Sequence, residues 1–372
     1  MAGSVFGKIL QISTFGESHG EALGVVVDGF PAGVPVTASD IQPFLDRRRP
    51  GQSAVTTSRA EADAVEILSG VFNGQTTGTP VAMLIRNTSQ RSGDYEDLKD
   101  CYRPSHADFG FNRKYGIRDY RGGGRSSGRE TAARVAAGAL CQQFLKQLHI
   151  DCFAYTESIG PVSIGARIGE PVDRSLIAGT STAMPDTEAD ARACAYISKC
   201  REDGDSVGGT VACVIEGMPA GIGEPVFDKL DAALSHAVMS IGAVKAIEIG
   251  DGVRASAGRG SECNDAFIPD GRGGVTKRTN HAGGILGGMS DGSPILLRAH
   301  FKPTPSIASE QDTVDRNGDP VKLTIRGRHD PVIVPRAAVV VESMCAVTIL
   351  DALLVNMSAR ADRIREFYLP NS

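Results

Sequence analysis

The chain has 372 residues, which is enough to bury a large hydrophobic core. Its formal net charge of -5 argues against general nucleic-acid binding. The eight cysteines include no CxxC pair and no histidine-rich zinc spacing accompanies them, so we expect no metal site. The first residues lack a basic-then-apolar signal pattern, and we therefore expect a cytoplasmic protein.

The first third of the chain alternates between strand-like runs and turns. Alternating or apolar runs predict strands at residues 5–14, 23–27, 64–68 and 80–85. A short helix is predicted at residues 40–48, between the second and third of these strands. Residues 87–120 show no convincing periodicity, and an ordered loop of this length is usually functional.

Residues 120–131 read YRGGGRSSGRET and lead into an Ala-rich run with helical spacing that extends to residue 148. Ser126 or Ser127 can cap this helix, with Glu130 close to the third position of a capping box. A glycine loop before a helix N-terminus, flanked by guanidinium groups, favours anion binding. Glycines alone would indicate only a tight turn, but the three interspersed arginines favour the anion site.

Two sequence matches indicate an internal duplication. Residues 27–34 match residues 215–222, and a helix is predicted after each copy. Residues 78–81 match residues 292–295 in the same order. We therefore predict one domain, residues 1–372, built from pseudo-repeats at about 5–150 and 205–358, with a core between them. The second copy holds about 26 extra residues, which we place in a mobile loop at 251–281.

Residues 337–357 are apolar almost all round and about as long as a membrane span. Glu342 and Asp351 interrupt the run, which favours a buried central helix. We expect no membrane contact.

Three histidines lie in polar settings punctuated by Gly or Pro: His19, His106 and His329. They are candidates for general acid/base catalysis, because imidazole titrates near neutrality. Asp330 could orient a histidine or act as a base, and it could equally begin an Asp-Pro turn. Residues 16–20, GESHG, match the nucleophile-elbow pattern, but a strand rather than a helix is predicted after them, so a hydrolase is disfavoured.

Several longer motifs occur together in a fixed order. They are GESHG, DRRRPGQS, QRSGDY, RPSHADF, YRGGGRSSGRET, MSIGAVKAIEIGDG, NHAGGILGG and GRHDPVIVPR. In this set and order the chain resembles the chorismate synthase family over nearly its whole length. The resemblance implies an α+β fold, a β-α-β sandwich with helices between antiparallel sheets, assembled as a homotetramer. It implies the last step of the shikimate pathway, in which 5-enolpyruvylshikimate 3-phosphate loses phosphate and a proton by 1,4-anti elimination to give chorismate.

The resemblance also implies an obligatory reduced FMN and a set of site residues. The acid/base residues would be His19 and His106, with Asp330 as a base toward the flavin. Arg48 would contact either the pyridine nucleotide NADP or the substrate phosphate. The flavin-binding residues would be Arg125, Ser126, Ser127, Gly242, Ala243, Gly287, Lys302, Pro303, Thr304, Pro305, Ser306 and Arg328.

Three positions differ from the family pattern. Ala54 stands where an arginine is common, Gly242 replaces a common Asn, and Ser105 replaces the usual Gly before His106. The sequence leaves open whether the chain reduces its own flavin or needs an external flavin reductase. A binding protein for phosphosugars or RNA would show affinity without turnover, and a hydrolase would be labelled at Ser18 by an acylating probe.

Overall fold

The structure is a computed structural model that describes residues 3–51, 61–88, 98–325 and 330–369. As predicted, the fold is α+β, with helices between two antiparallel five-stranded sheets. The first sheet has the order β1-β2-β3-β7-β4 and the second the order β11-β16-β10-β8-β9. The strands of the first sheet are β1 (Val5–Phe6), β2 (Gln11–Gly16), β3 (Ala22–Asp28), β4 (Val65–Ile67) and β7 (Val81–Arg86). Those of the second are β8 (Asp151–Ile159), β9 (Val162–Ser163), β10 (Gly209–Glu216), β11 (Val244–Ile249) and β16 (Ile295–Phe301).

Smaller hairpins and the helices complete the described part of the chain. The hairpins pair β5 (Val71–Phe72) with β6 (Gln75–Thr76), β12 (Phe267–Pro269) with β13 (Val275–Lys277), β14 (Ile285–Leu286) with β15 (Met289–Ser290), and β17 (Gln311–Val314) with β18 (Pro320–Leu323). The helices are α1 (Ala38–Arg48), α2 (Asp108–Tyr115), α3 (Thr131–Gln147), α4 (Arg174–Gly179), α5 (Thr187–Glu202), α6 (Leu230–Met239), α7 (Gly260–Cys263), α8 (Val334–Asn356) and α9 (Ala361–Tyr368).

The middle layer is built on α3 and α8. Helix α3 packs against β3 and β7 of the first sheet, and α8 packs against β8 and β10 of the second. The two helices also pack on each other, and they approach closely because Gly138 has no side chain. A Cβ at Gly138 would lie 2.3 Å from Cβ of Ser343. The main hydrophobic core therefore lies between the sheets and around this helix pair.

Helix α8 confirms the prediction of a buried apolar helix. It is the one helix of the described residues that is long and apolar enough to cross a membrane, and 78% of its most apolar 18-residue stretch is buried in the protein. Its two carboxylates are both satisfied. Glu342 accepts hydrogen bonds from both terminal nitrogens of Arg47, at 2.9 and 2.8 Å, and from the Ala154 amide at 3.1 Å. Asp351 accepts the backbone N–H groups of residues 8, 9 and 10, each at 2.9 Å.

The proposed duplication is supported by matching turns in the two sheets. In the first copy the Thr76 hydroxyl donates to the Pro31 carbonyl at 2.7 Å and accepts the Val34 amide at 3.0 Å. In the second copy the Ser290 hydroxyl donates to the Pro219 carbonyl at 2.5 Å and accepts the Ile222 amide at 3.0 Å. These equivalent contacts support our proposal that one strand–turn–helix–strand unit occurs twice.

Three local predictions were wrong. Residues 5–14 form two paired strands, since Gly7 turns the chain at a φ of 103° and Asp351 binds the turn. Residues 87–120 contain helix α2. Glu130 does not complete a capping box: Ser127 accepts the Arg129 amide at the start of a 3-10 turn, and Glu130 pairs with Arg134.

The extra segment 251–281 contains helix α7 and the β12–β13 hairpin. Its base is fixed by the Lys277 ammonium, which is 2% exposed and lies 2.7 Å from Asp291 and 3.3 Å from Asp265. Asp265 also accepts the His281 amide at 2.8 Å. These contacts fix the base, and our prediction of a mobile loop at residues 251–281 stays a prediction.

Candidate functional site

The turn that joins β2 to β3 carries His19. This residue is 9% exposed, and its Nδ1 lies 3.2 Å from the Ser18 hydroxyl. The Asn87 side-chain amide, just after β7, donates to the carbonyls of Glu17 at 3.0 Å and Gly20 at 2.8 Å. Asn87 therefore clamps both sides of the turn and fixes the backbone that bears His19.

The glycine–arginine loop packs directly on His19. A Cβ at Gly122 would lie 2.4 Å from His19 Nδ1, so the loop can approach the ring only because this residue is glycine. Arg125 donates to the carbonyls of Gly16 at 3.0 Å and Thr14 at 3.2 Å, and to the Thr14 hydroxyl at 2.6 Å. In this arrangement Arg125 holds the loop against β2. Its predicted contact with flavin stays a prediction.

The two serines of the loop have different roles in the turn. Ser126 is exposed, and its hydroxyl donates to the Gly123 carbonyl at 2.7 Å. Ser127 accepts the Arg129 amide at 3.2 Å. Both hydroxyls therefore shape the loop that faces His19.

His106 lies two residues before helix α2 and is oriented by Asp108. His106 Nδ1 and Asp108 Oδ1 are 2.8 Å apart. The Asp108 carboxylate is buried and also contacts Arg103 at 2.8 Å and Arg118 at 3.2 Å. Arg103 reaches on to the Gly122 carbonyl at 3.1 Å. The segment that carries His106 is thereby joined to the loop that packs on His19.

A buried cluster of charges lies on the other side of this loop. Asp63 is 1% exposed and binds Arg48 at 2.7 Å and also Arg129. Arg336 donates to the Arg48 carbonyl at 2.9 Å and forms an ion pair with Asp330. Among the described residues, these three guanidinium groups face two carboxylates, which is an excess of positive charge. Burial, with smaller contributions from Arg336 and Arg129, lowers the pKa of Arg48 to about 9, although Asp63 opposes the shift.

The loop after β16, a strand of the second sheet, contacts the segments that carry His106 and Asp330. Lys302 Nζ donates to the Ser105 carbonyl at 3.1 Å, next to His106, and the Lys302 amide donates to the Ala243 carbonyl at 3.0 Å. Thr304 donates to the Asp330 carbonyl at 2.9 Å. Burial, together with the nearby charge of Lys245, lowers the pKa of Lys302. The segment 302–306 therefore contacts Ser105, Asp330 and Ala243.

The two predicted flavin glycines lie at opposite ends of helix α6. Gly287 lies in the β14–β15 turn beside the start of α6, where the Leu230 amide donates to the Gly288 carbonyl at 2.8 Å. Gly242 lies beyond the end of the same helix, which has ten residues and is therefore about 15 Å long, and it directly precedes Ala243, which contacts Lys302. Arg328, like His329 and Ala54, lies outside the described residues.

The structure adds partners that the sequence did not reveal. Asp63 and Asn87 were not predicted, and Arg103, Asp108 and Arg336 were present only as letters of a motif. The spacing of Asp108 two residues after His106 was the one usable signal. Among the described residues no group of three or more His, Cys, Asp or Glu side chains has a metal-binding arrangement. Strand β3 follows the GESHG turn, so Ser18 does not lie on a strand-to-helix elbow.

Comparison with known proteins gives one consistent result. The family model described as chorismate synthase matches residues 10–354. A chorismate synthase of Agathobacter rectalis is 57% identical over 368 residues, which cover 99% of each chain. One from Lachnoclostridium phytofermentans is 54% identical over 99% of this chain and all of its own. A crystal structure of chorismate synthase superposes with a TM-score of 0.77 at 30% identity and covers 97% of both chains.

Proposed function

The chain belongs to the chorismate synthase family, and on that premise we propose that it converts 5-enolpyruvylshikimate 3-phosphate into chorismate and inorganic phosphate. Membership makes it a lyase of the last step of the shikimate pathway, which leads to the aromatic amino acids. In the proposed 1,4-anti elimination the C–O bond to phosphate and one C–H bond break, and a new C=C bond forms. No net oxidation or reduction occurs.

One observation carries the proposal: a single glycine loop links His19 to the segment of His106, beside a cluster with excess positive charge among the described residues. Gly122 packs on His19 and, through Arg103, is tied to the segment of His106. In the part of the chain that the structure describes, Arg48, Arg129 and Arg336 pair with two carboxylates, Asp63 and Asp330. A substrate with one phosphate and two carboxylates matches this charge, because guanidinium groups bind such anions through charge-assisted hydrogen bonds.

The residues present also fit a flavin mononucleotide. At Gly242 a Cβ would meet nothing within 4 Å, so a flat group can approach the backbone there. Ala243 next to it has a φ of 73°, and its carbonyl accepts the amide of Lys302. We propose that residues 125–127, 242–243 and 302–306 hold reduced FMN, with Gly287 and Arg328 as further contacts by family resemblance. When bound, the reduced flavin would lend electron density to C–O cleavage and recover it afterwards.

The protein's own residues would bind, orient and supply protons. We place His19 on the phosphate side, where an imidazolium stabilises the negative charge on the departing phosphate. We place His106 on the flavin side as an acid, and Asp330, held by Arg336, as a base toward the flavin. Arg48 would orient the substrate phosphate or a pyridine nucleotide, NADP. The proposal includes a cytoplasmic homotetramer and leaves two sources of reduced flavin, the chain itself or an external flavin reductase.

The test is release of phosphate from 5-enolpyruvylshikimate 3-phosphate under anaerobic conditions. We expect phosphate and chorismate in equal amounts with reduced FMN, and neither product with oxidised FMN or without flavin. Tight binding of substrate and flavin without turnover would overturn the proposal in favour of a binding protein. The flavin spectrum after addition of NADPH, without light or dithionite, separates self-reduction from an external reductase.

A further inference from the structure

The Asp108 carboxylate has an unusually complete set of donors. Its Oδ1 accepts a hydrogen bond from Nη2 of Arg103 at 2.8 Å and faces Nδ1 of His106 at 2.8 Å. Its Oδ2 accepts Nε of Arg103 at 2.8 Å and the Arg103 amide at 3.1 Å, and Nη1 of Arg118 lies 3.2 Å away. The side chain is 2% exposed, so water does not compete for these contacts. Asp108 is therefore fixed in position by its own neighbours before any ligand is present.

This arrangement determines which histidine nitrogen faces the carboxylate as a donor. An ionised carboxylate can only accept hydrogen bonds, so His106 Nδ1 must carry a proton. Burial alone would raise the pKa of Asp108, but hydrogen bonds from Arg103 and His106 hold that pKa well below its usual range. The carboxylate therefore remains charged at neutral pH. Nε2 of His106 is left as the nitrogen that can exchange a proton with a ligand.

The charged groups around the pair prevent Asp108 from acting alone on the ring. Arg103 and Arg118 lie on the same chain segment and neutralise the carboxylate. Lys302, from the loop after β16, reaches the Ser105 carbonyl next to His106. Two guanidinium groups share the Asp108 carboxylate. Asp108 therefore orients the His106 ring, but it does not act on the ring proton as a lone buried anion.

We infer that Asp108 is a positioning residue for His106, which it holds as the Nδ1–H tautomer so that Nε2 is the acid/base atom of the site. The inference rests on the proposed function for the role of His106, while the tautomer itself does not depend on that role. Arg103 extends the arrangement, because the same guanidinium binds Asp108 and the Gly122 carbonyl that lies against His19.

The first test needs neither cofactor nor variant activity. Histidine ring nitrogens are labelled with nitrogen-15 in the flavin-free full chain, and His106→Gln assigns the His106 signals. We expect the neutral His106 ring to show a protonated Nδ1 and an unprotonated Nε2. Free histidine prefers the opposite tautomer, so a protonated Nε2 with a bare Nδ1 would overturn the inference.

The second test compares Asp108→Asn with Asp100→Asn under reduced FMN. Asp100 also pairs with an arginine, Arg316 at 2.6 Å, but this pair lies on the surface. Loss of the charge at residue 108 should lower kcat at least ~10-fold, since the ring is no longer held with Nε2 free to exchange a proton with a ligand. Flavin affinity should be unchanged, and Asp100→Asn should behave like the wild type.

The outcomes separate the inference from the proposed function. Normal kcat together with an unchanged His106 tautomer signal in folded Asp108→Asn would overturn the positioning role alone. If Asp108→Asn does not fold, Asp108→Glu keeps the charge for both arginines while displacing the oxygens, and it should still change the nitrogen-15 tautomer signal. Wild-type protein that releases no phosphate would overturn the proposed function and leave the tautomer result standing.

Discussion

Replacement of Gly122 by alanine adds one methyl group against the His19 ring. The new Cβ would lie 2.4 Å from Nδ1 and 2.7 Å from Cε1 of His19, and 2.7 Å from the Ser18 hydroxyl. An ordinary contact begins near 3.4 Å, so the ring or the loop must move by about 1 Å. The His19 turn cannot retreat freely, because Asn87 binds it on both sides. A displacement of this size costs on the order of 10²-fold in rate when it affects a catalytic group.

Gly122→Ala should therefore lower kcat for phosphate release about 10²-fold. Overpacking of a buried contact costs about 1–3 kcal/mol, so the variant should fold with a lower Tm. Gly128→Ala is the matched control in the same loop, since a Cβ there meets nothing within 4 Å. The control should keep normal turnover. Normal kcat in folded Gly122→Ala would refute the placement of the loop against a catalytic His19.

Four further predictions address the flavin, the histidines and the inserted segment. Arg125→Ala should weaken FMN binding more than tenfold in a spectroscopic titration, because charge-assisted bonds contribute about 1.5–3 kcal/mol; unchanged affinity would leave Arg125 only as the residue that holds the loop to β2. His19→Ala and His106→Ala should each lower turnover at least ~10²-fold while flavin binding persists, and normal turnover in either variant would contradict that residue's assignment. FMN plus substrate should suppress protease cleavage within residues 251–281, and equal cleavage with and without ligands would count against a lid. Burial alone would raise the pKa of Asp265, but hydrogen bonds from the Ala282 amide and other donors lower that pKa to about 2. The stabilising contribution of Asp265 is thus present above about pH 4 and lost as the pH falls toward 2. Asp265→Asn should accelerate hydrogen exchange in residues 251–281 at pH 7. Unchanged exchange would argue against Asp265 as the residue that fixes the base of this segment.

Elements with a strong local pattern could be predicted from the sequence. Helix α8 lies at Val334–Asn356 and was expected at 337–357, because its apolar run is long and the two carboxylates within it favoured a buried helix. Helix α1 was expected at 40–48 and lies at Ala38–Arg48, with Asp40 in its first turn and Arg48 in its last. In both cases the residues that specify the helix lie within it.

Elements that depend on distant partners could not be predicted. Helix α2 does not pack an apolar side against the core, since Phe109 and Tyr115 are exposed. Its first residue, Asp108, is held by an ion pair with Arg103. The turn between β1 and β2 depends on Asp351, more than 340 residues away along the chain.

The same reason limited prediction of the site. The histidines and the glycine–arginine loop have recognisable local motifs. Asp63 has none, because its significance lies in contacts with Arg48 and Arg129, 15 and 66 positions away. Such ion pairs form only when the two sheets and the middle layer have brought separate segments together.

The two carboxylates of α8 also fix the rotation and the axial position of this helix between the sheets. A helix that is apolar on every side could rotate about its axis or slide by a turn between the sheets at little cost in buried area. Glu342 and Asp351 are nine positions apart, so at 3.6 residues per turn they project to opposite sides of the helix. One is held by Arg47 and the other by the β1–β2 turn. Any other rotation or offset would leave a buried charge without its partner, at a cost of about 3–5 kcal/mol, and this selects one arrangement.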